Sequence, residues 1–201
     1  MIRLVGKIPS EKIYLACSGG VDSMVALDFL INGKYKPIIL HFDHGTEFGD
    51  KARTFVKKQC KKLGLPLVVS KISRERRKDE SMEEYWRSER YNFLNSFPGE
   101  VIMAHHLDDA TEWWLFSSLH GEGKIMPYRH GNVIRPFLMT PKSEILSWAK
   151  RKNVLYMDDP GNKDERYMRS IIRHQIMGPA LKVNPGLRTV VRKKIEAENS
   201  K

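Results

Sequence analysis

Short apolar runs alternate along the chain with longer stretches in which apolar positions recur every three or four residues. The short runs are KIYLAC at 12–17, PIILHF at 37–42, PLVVSKI at 66–72, EVIMAH at 100–105 and NVIRPFL at 132–138. Rich in Ile, Val and Leu and bounded by turn formers, they predict five strands. The stretches 22–32, 50–63, 81–96 and 107–119 carry the helical period, so the chain repeats strand and helix. That rhythm predicts an α/β fold: a doubly wound, mainly parallel five-stranded sheet covered on both faces. HGEGKIMPYRHG at 120–131 is dense in turn formers and is expected to loop over the surface, as is the charged RERRKDE at 74–80. Pro141 is placed to open a helix through about Lys152, DDPGN at 158–162 to turn, and a further helix to start near Asp164. We therefore expect an α/β domain over 1–140 and a helical, basic extension of the same domain over 141–201.

In open sheets of this kind ligands sit beyond the carboxyl ends of the strands. Here those positions hold SGGVDS at 18–23, DHG at 43–45 and HHLDDATE at 105–112. A glycine turn between a strand and a helix exposes backbone N–H groups at the positive end of the helix dipole, an anion site. The lysine that serves γ-phosphoryl transfer in Walker loops is missing from SGGVDS, and so is the GxGxxG spacing of dinucleotide folds. Attack on an α-phosphorus, with pyrophosphate leaving, needs the cradle without that lysine. The loop would hold the departing phosphates and Asp22 would help to place Mg²⁺. A plain tight turn is the alternative.

Composition narrows the picture. With 41% apolar residues in 201, a real core can form; no run of about 18 apolar residues occurs, and the N-terminal MIRLVGKIPSEK lacks the apolar centre of a secretory signal. A cytoplasmic protein without a membrane span is expected. Cys17 and Cys60 are the only cysteines and no CxxC occurs, so neither zinc nor an iron–sulfur cluster is expected. The charge of +11 is concentrated at the end: residues 142–201 hold 14 Lys and Arg against 7 Asp and Glu, a net of +7. Such an excess favours a polyanionic partner, nucleic acid above all.

SGGVDS after the first strand resembles the pyrophosphatase loop (PP-loop) of the N-type ATP pyrophosphatases, whose fold is of the adenine nucleotide alpha hydrolase-like type. AHHLDD followed by Glu112 resembles the HHxxDQxET element of the tRNA(Ile)-lysidine synthetase family, and RSERY at 87–91 resembles its RxxRY. IRPFL at 134–138 and DDPGNKDERYMRSIIRH at 158–174 are similar to its RPL and DPSNxDxxYxRNxIR. The likeness runs in order from about Ile13 to Leu181. It departs from the pattern at Ala110, Trp113, His120, Gly161 and Ser170, and it stops before the helical and C-terminal tRNA-gripping domains, so a short form is expected. The resemblance implies a carbon–nitrogen ligase. ATP adenylates C2 of the wobble cytidine in a tRNA with a CAU anticodon, a minor isoleucine tRNA, and the amine of free L-lysine displaces AMP. A PP-loop tRNA thiolase and a truncated relative that binds tRNA and ATP without completing the chemistry are the rivals.

Candidate residues follow. His106, Asp109 and Glu112 are three apart, on one face of a helix start. Those carboxylates suit a Mg²⁺ ion, the lysine ammonium or its proton, or simply complement the helix dipole. By family analogy Asp109 and Glu112 are the catalytic pair, with Arg87 and Arg90, also three apart, as a clamp for the α-phosphate or the lysine carboxylate. Surface pairing of those arginines with Glu83, Glu84 or Glu89 is the competing reading. The ATP contacts implied are Ser18, Gly19, Gly20, Val21, Asp22, Ser23, His44, His106, Arg169 and Arg173, with Asp22 and Asp109 for Mg²⁺. Arg166, Arg169 and Arg173 form a helical stripe suited to ATP or the tRNA backbone. His41 shares the second strand end with His44, and Trp113 and Trp114 are read first as packing residues. Nothing in the sequence decides between a monomer and a homodimer.

Overall fold

Each apolar run alternates two inward faces, and that alternation builds the core. The computed structural model describes residues 1–9, 12–159 and 168–199, and of Arg169 the backbone alone. The five expected strands are Tyr14–Ala16 (β1), Ile38–Asp43 (β2), Leu67–Lys71 (β3), Val101–Ile102 (β4) and Val133–Ile134 (β6). Leu15, Ile39, Ile102 and Ile134 point to one face and join the cluster that takes in Met24, Leu27 and Leu30 of Val21–Asn32 (α1). Their neighbours Tyr14, Leu40, Val101 and Val133 point to the other and meet Tyr91 and Leu94 of Met82–Asn95 (α3). Apolar residues on both faces of every inner strand are the mark of a sheet covered on two sides.

Strand order is β3-β2-β1-β4-β6-β5, with β1 to β4 and β6 parallel and Arg129–His130 (β5) antiparallel to β6. The sheet thus has six strands, one more than the pattern predicts. The extra strand lies in the stretch expected to be a loop. Gly131 (φ +62°) with Asn132 turns the chain back in two residues, the geometry a tight hairpin needs. Asn132 pins this turn by donating its amide to the carbonyls of Leu94, Phe97 and Gly99 at 3.0, 2.9 and 3.3 Å.

The remaining helices are Glu47–Leu63 (α2), Leu107–Leu119 (α4), Lys142–Lys152 (α5), Met168–Ile171 (α6), Met177–Val183 (α7) and Leu187–Asn199 (α8). α2 is entered through Thr46, whose hydroxyl accepts from the Gly49 amide, and α3 through a Ser81–Glu84 capping box. The RERRKDE segment is tied down rather than free-standing: Arg74 forks onto Glu80 at 2.7 and 2.9 Å and reaches Glu89 at 2.9 Å. The basic C-terminal helix α8 packs against α4. Val191 and Ile195 of α8 are fully buried with Val5, Leu107, Ala110 and Leu138, while Trp113 and Trp114 pack against the same cluster. The DDPGN turn and the helix start near Asp164 lie outside the described residues beyond Asp159. Among the described residues no helix is long and apolar enough to cross a membrane.

Candidate functional site

Strand order reverses between β1 and β4: β2 and β3 follow on one side of β1, β6 and β5 on the other side of β4. A crevice opens there at the carboxyl ends, and both SGGVDS and HHLDD border it. The loop after β1 turns through Gly19 at φ +89°, where a Cβ would also come within 3.3 Å of Val56 Cγ2. Ser23 holds its shape: the hydroxyl donates to the Gly20 carbonyl at 3.0 Å and accepts from the Gly19 amide at 3.2 Å. Ser18 Oγ accepts from the Gly20 amide at 3.3 Å and lies 3.3 Å from Ser23 Oγ. His41 supports the base of the loop, its Nδ1–H donating to the Cys17 carbonyl at 2.9 Å. The N-cap of α1 is Gly20, which has no side chain to satisfy the first helical N–H groups, so the first turn over Val21 and Asp22 faces the crevice as an anion site.

Across the crevice α4 begins with a reciprocal cap made of candidate residues. The His106 amide donates to Asp109 Oδ2 at 2.9 Å, and the Asp109 amide donates to His106 Nδ1 at 3.3 Å. With Nδ1 accepting from the Asp109 amide, the ring's other nitrogen, Nε2, lies 3.5 Å from Asp22 Oδ1. His106 is buried and bridges the two walls. A second link is the Lys142 ammonium, at the start of α5, 2.6 Å from the same Asp22 oxygen.

Arg173 closes the site from the π turn Ile172–Ile176 between α6 and α7. Its Nε and Nη2 fork onto Glu112 at 2.8 and 2.7 Å, and Nη2 also reaches Asp109 Oδ1 at 3.2 Å. Burial pushes the Glu112 carboxyl above its ordinary value, and Arg173 only partly offsets this. Burial pushes Asp109 up too, but the histidine rings, the His106 amide and Arg173 together outweigh it and hold the carboxyl below its ordinary value. Two adjacent carboxyls displaced in opposite directions provide an ionised group and a proton acceptor side by side.

Comparison with known proteins places this geometry. Residues 1–180 match the family described as the PP-loop domain. The chain belongs to the PP-loop family. Among curated PP-loop relatives, the tRNA(Ile)-lysidine synthase of Thermotoga sp. (strain RQ2) is 32% identical over 90% of this chain and 48% of its own. That of Nitrosomonas europaea is 30% identical over 84% of this chain and 41% of its own. The chain therefore spans about half the length of these relatives. Among solved structures, the U34-tRNA thiolase NcsA from Methanococcus maripaludis with its [4Fe-4S] cluster superposes with a TM-score of 0.77 at 18% identity, covering 98% of this chain and 75% of that one. An NH3-dependent NAD synthetase from Campylobacter jejuni gives 0.51 at 16% identity, over 97% of this chain and 89% of that one. At those identities the likeness is one of fold.

The structure brings the PP-loop, His106, Asp109, Glu112 and Arg173 into one site, and distributes the other candidates around it. Arg87 and Arg90 diverge: Arg87 stacks over the Tyr91 ring at 4.7 Å, and the charge of Arg90 acts on His44. Their competing partners are engaged elsewhere, Glu89 with Arg74 and Glu84 in the α3 cap. Arg87 lines a cavity of about 530 Å³ with Arg77, Asp79, Glu80 and Tyr91. His44 sits against Phe42 and Trp86, and burial first, then Arg90, lowers its ring to about 4, so it is neutral. Arg166 and the side chain of Arg169 lie outside the described residues. Asp22 and Asp109 flank opposite nitrogens of His106, so the ring stands between the two carboxylates expected to share Mg²⁺. Asp22 on the loop fits the usual Mg²⁺ arrangement of one carboxylate supplemented by substrate phosphates.

Sequence spacing passed over four residues that contact the candidate elements. They are Lys142, Asp108, Arg188 and Arg135. Asp108 accepts from the Lys142 amide at 2.8 Å and from Arg188 Nε at 2.7 Å. Arg135, 2% exposed, donates to His105 Nδ1 at 3.2 Å, the Pro127 carbonyl at 2.7 Å and the Tyr91 hydroxyl at 2.6 Å. Only Arg135 had a local signal, as a lone charge inside the apolar run NVIRPFL.

Proposed function

We propose that this chain carries the catalytic site of an ATP-dependent tRNA-modifying ligase of the lysidine-forming kind. The supporting observation is the continuous link from Asp22 of the PP-loop through His106 to Asp109, Glu112 and Arg173. ATP lies with its β- and γ-phosphates on the N–H groups of the loop, and Asp22 helps to place Mg²⁺. The C2 oxygen of the wobble cytidine attacks the α-phosphorus and the bond to pyrophosphate breaks, leaving an adenylated base. The amine of free L-lysine then attacks C2, the C2–O bond breaks and AMP departs, carrying the negative charge. Glu112, whose carboxyl is raised by burial, takes the proton from the amine, while ionised Asp109 holds the ammonium form on arrival. Arg173 balances both carboxylates until substrate charge enters.

The cysteines favour this reading over sulfur transfer. Cys17 and Cys60 are both buried, and burial pushes each thiol up, Cys60 to about 11. Neither is a ready sulfur carrier. Incubation with ATP, Mg²⁺, labelled lysine and a tRNA with a CAU anticodon should give labelled lysidine after nuclease digestion, and Asp109→Ala should abolish it. Tight tRNA and ATP binding without label would show a relative that does not complete the chemistry. Lysine-independent adenylation with sulfur uptake would show a thiolase.

A further inference from the structure

The PP-loop lacks the lysine that P-loops carry in sequence, yet the fold brings an ammonium beside it from another element. Lys142 Nζ stands 2.6 Å from Asp22 Oδ1, in the first turn of α1, beside the N–H groups that Gly20 leaves uncapped. We propose that Lys142 is a phosphate-binding residue of this site, gripping the β- and γ-phosphates of ATP and the pyrophosphate that leaves. This rests on the ATP-cleaving reading above.

Three observations carry the assignment. The position is built rather than incidental: Pro141 offers no side-chain cap to α5, and Asp108 caps it instead through the Lys142 amide at 2.8 Å. Asp108 is in turn forked by Arg188 of α8, with contacts of 2.7 and 2.6 Å, so the base of the lysine is anchored from two helices. The second observation is electrostatic. Asp22 Oδ1 accepts from the ammonium at 2.6 Å and lies 3.5 Å from His106 Nε2, beside the uncapped start of α1. A Mg²⁺ held by Asp22 would repel the ammonium that now shares its carboxylate, and bound polyphosphate would offer Lys142 a new anion beside it. The third is reach. The Lys142 side chain is one-third exposed and its ammonium already touches the first turn of α1, so a rotamer change can carry it to phosphate bound there without moving α5.

The experiment measures binding of MgATP, magnesium pyrophosphate and AMP to the whole chain, as wild type, Lys142→Met and Lys142→Arg, by titration calorimetry. A lost charge-assisted contact predicts at least about tenfold weaker ATP and pyrophosphate binding in Lys142→Met. AMP, which has only the α-phosphate, should bind within about twofold of wild type and also reports that the variant is folded. Lys142→Arg should recover most of the loss, because its guanidinium offers phosphate the same charge. The proposal is overturned if ATP and AMP weaken by the same factor, if ATP affinity is unchanged, or if the wild type binds neither ATP nor pyrophosphate. Lysidine formation is a separate readout. Lys142-dependent ATP binding without lysidine refutes the ligase reading alone, and lysidine formation with an unchanged KM for ATP in Lys142→Met refutes the role of Lys142 alone.

Discussion

Replacing Arg173 by methionine tests the electrostatics of the site most directly. The guanidinium makes two close contacts with Glu112, whose side chain is 11% exposed, and a longer one with Asp109. Two charge-assisted hydrogen bonds at about 1.5–3 kcal/mol each give roughly 3–6 kcal/mol. Arg173 is itself 41% exposed, and solvent screening reduces this to a net cost of about 2 kcal/mol at pH 8. The cost should depend on pH. Glu112 already sits above its ordinary 4.5, and losing Arg173 raises it further. A raised carboxyl binds its proton more readily in the folded than in the unfolded chain, so the deficit is full where Glu112 is ionised and shrinks as pH falls through the raised range. Asp109 acts in the same direction: the stability from its depressed carboxyl exists above the ordinary value, is reduced without Arg173, and vanishes in acid. Urea unfolding followed by tryptophan fluorescence should therefore show a smaller difference between wild type and Arg173→Met at pH 5 than at pH 8. Histidine titrations shared by both proteins cancel in that difference. In a Glu112→Gln background the same substitution should cost less than half as much. An equal deficit at both pH values, or no reduction in that background, would refute the reasoning.

Two other substitutions probe the scaffold. Arg135→Met leaves the Pro127 carbonyl, the Tyr91 hydroxyl and the His105 ring without their shared donor in a buried position, and should cost about 3 kcal/mol in urea unfolding. Arg135→Lys should recover only part, since one ammonium cannot reproduce the planar fork. Ile195→Ala, on the buried face of α8, should cost about 3 kcal/mol by cavity formation, where a change below about 1 kcal/mol would show that α8 is not part of the core.

Much of the fold was legible because strand and helix differ in local period. Five apolar runs became the five parallel strands, and Pro141 marks a helix start by its own chemistry, while α2 begins three residues before the expected 50. The sixth strand was hidden because a two-residue β5 is too short to show alternation. The charged segment at 74–80 is a loop as expected, but its anchoring was hidden, because Arg74 meets Glu89 across 15 positions, a contact that composition does not register.

The site divides along the same line. His106, Asp109 and Glu112 could be grouped from sequence because a helix places every third residue on one face, and SGGVDS could be read as an anion loop because a glycine turn before a helix leaves N–H groups bare. What met those groups was decided by strand order. Only the adjacency of β1 and β4 sets Asp22 beside His106, and only the return of α5 and of the π turn to the same crevice delivers Lys142 and Arg173, 120 and 61 positions from their partners. Local periodicity reports which face a residue occupies. Which charges face each other is a property of packing, because Coulombic pairing depends on distance in space, and the chain reaches that distance only after the sheet has formed.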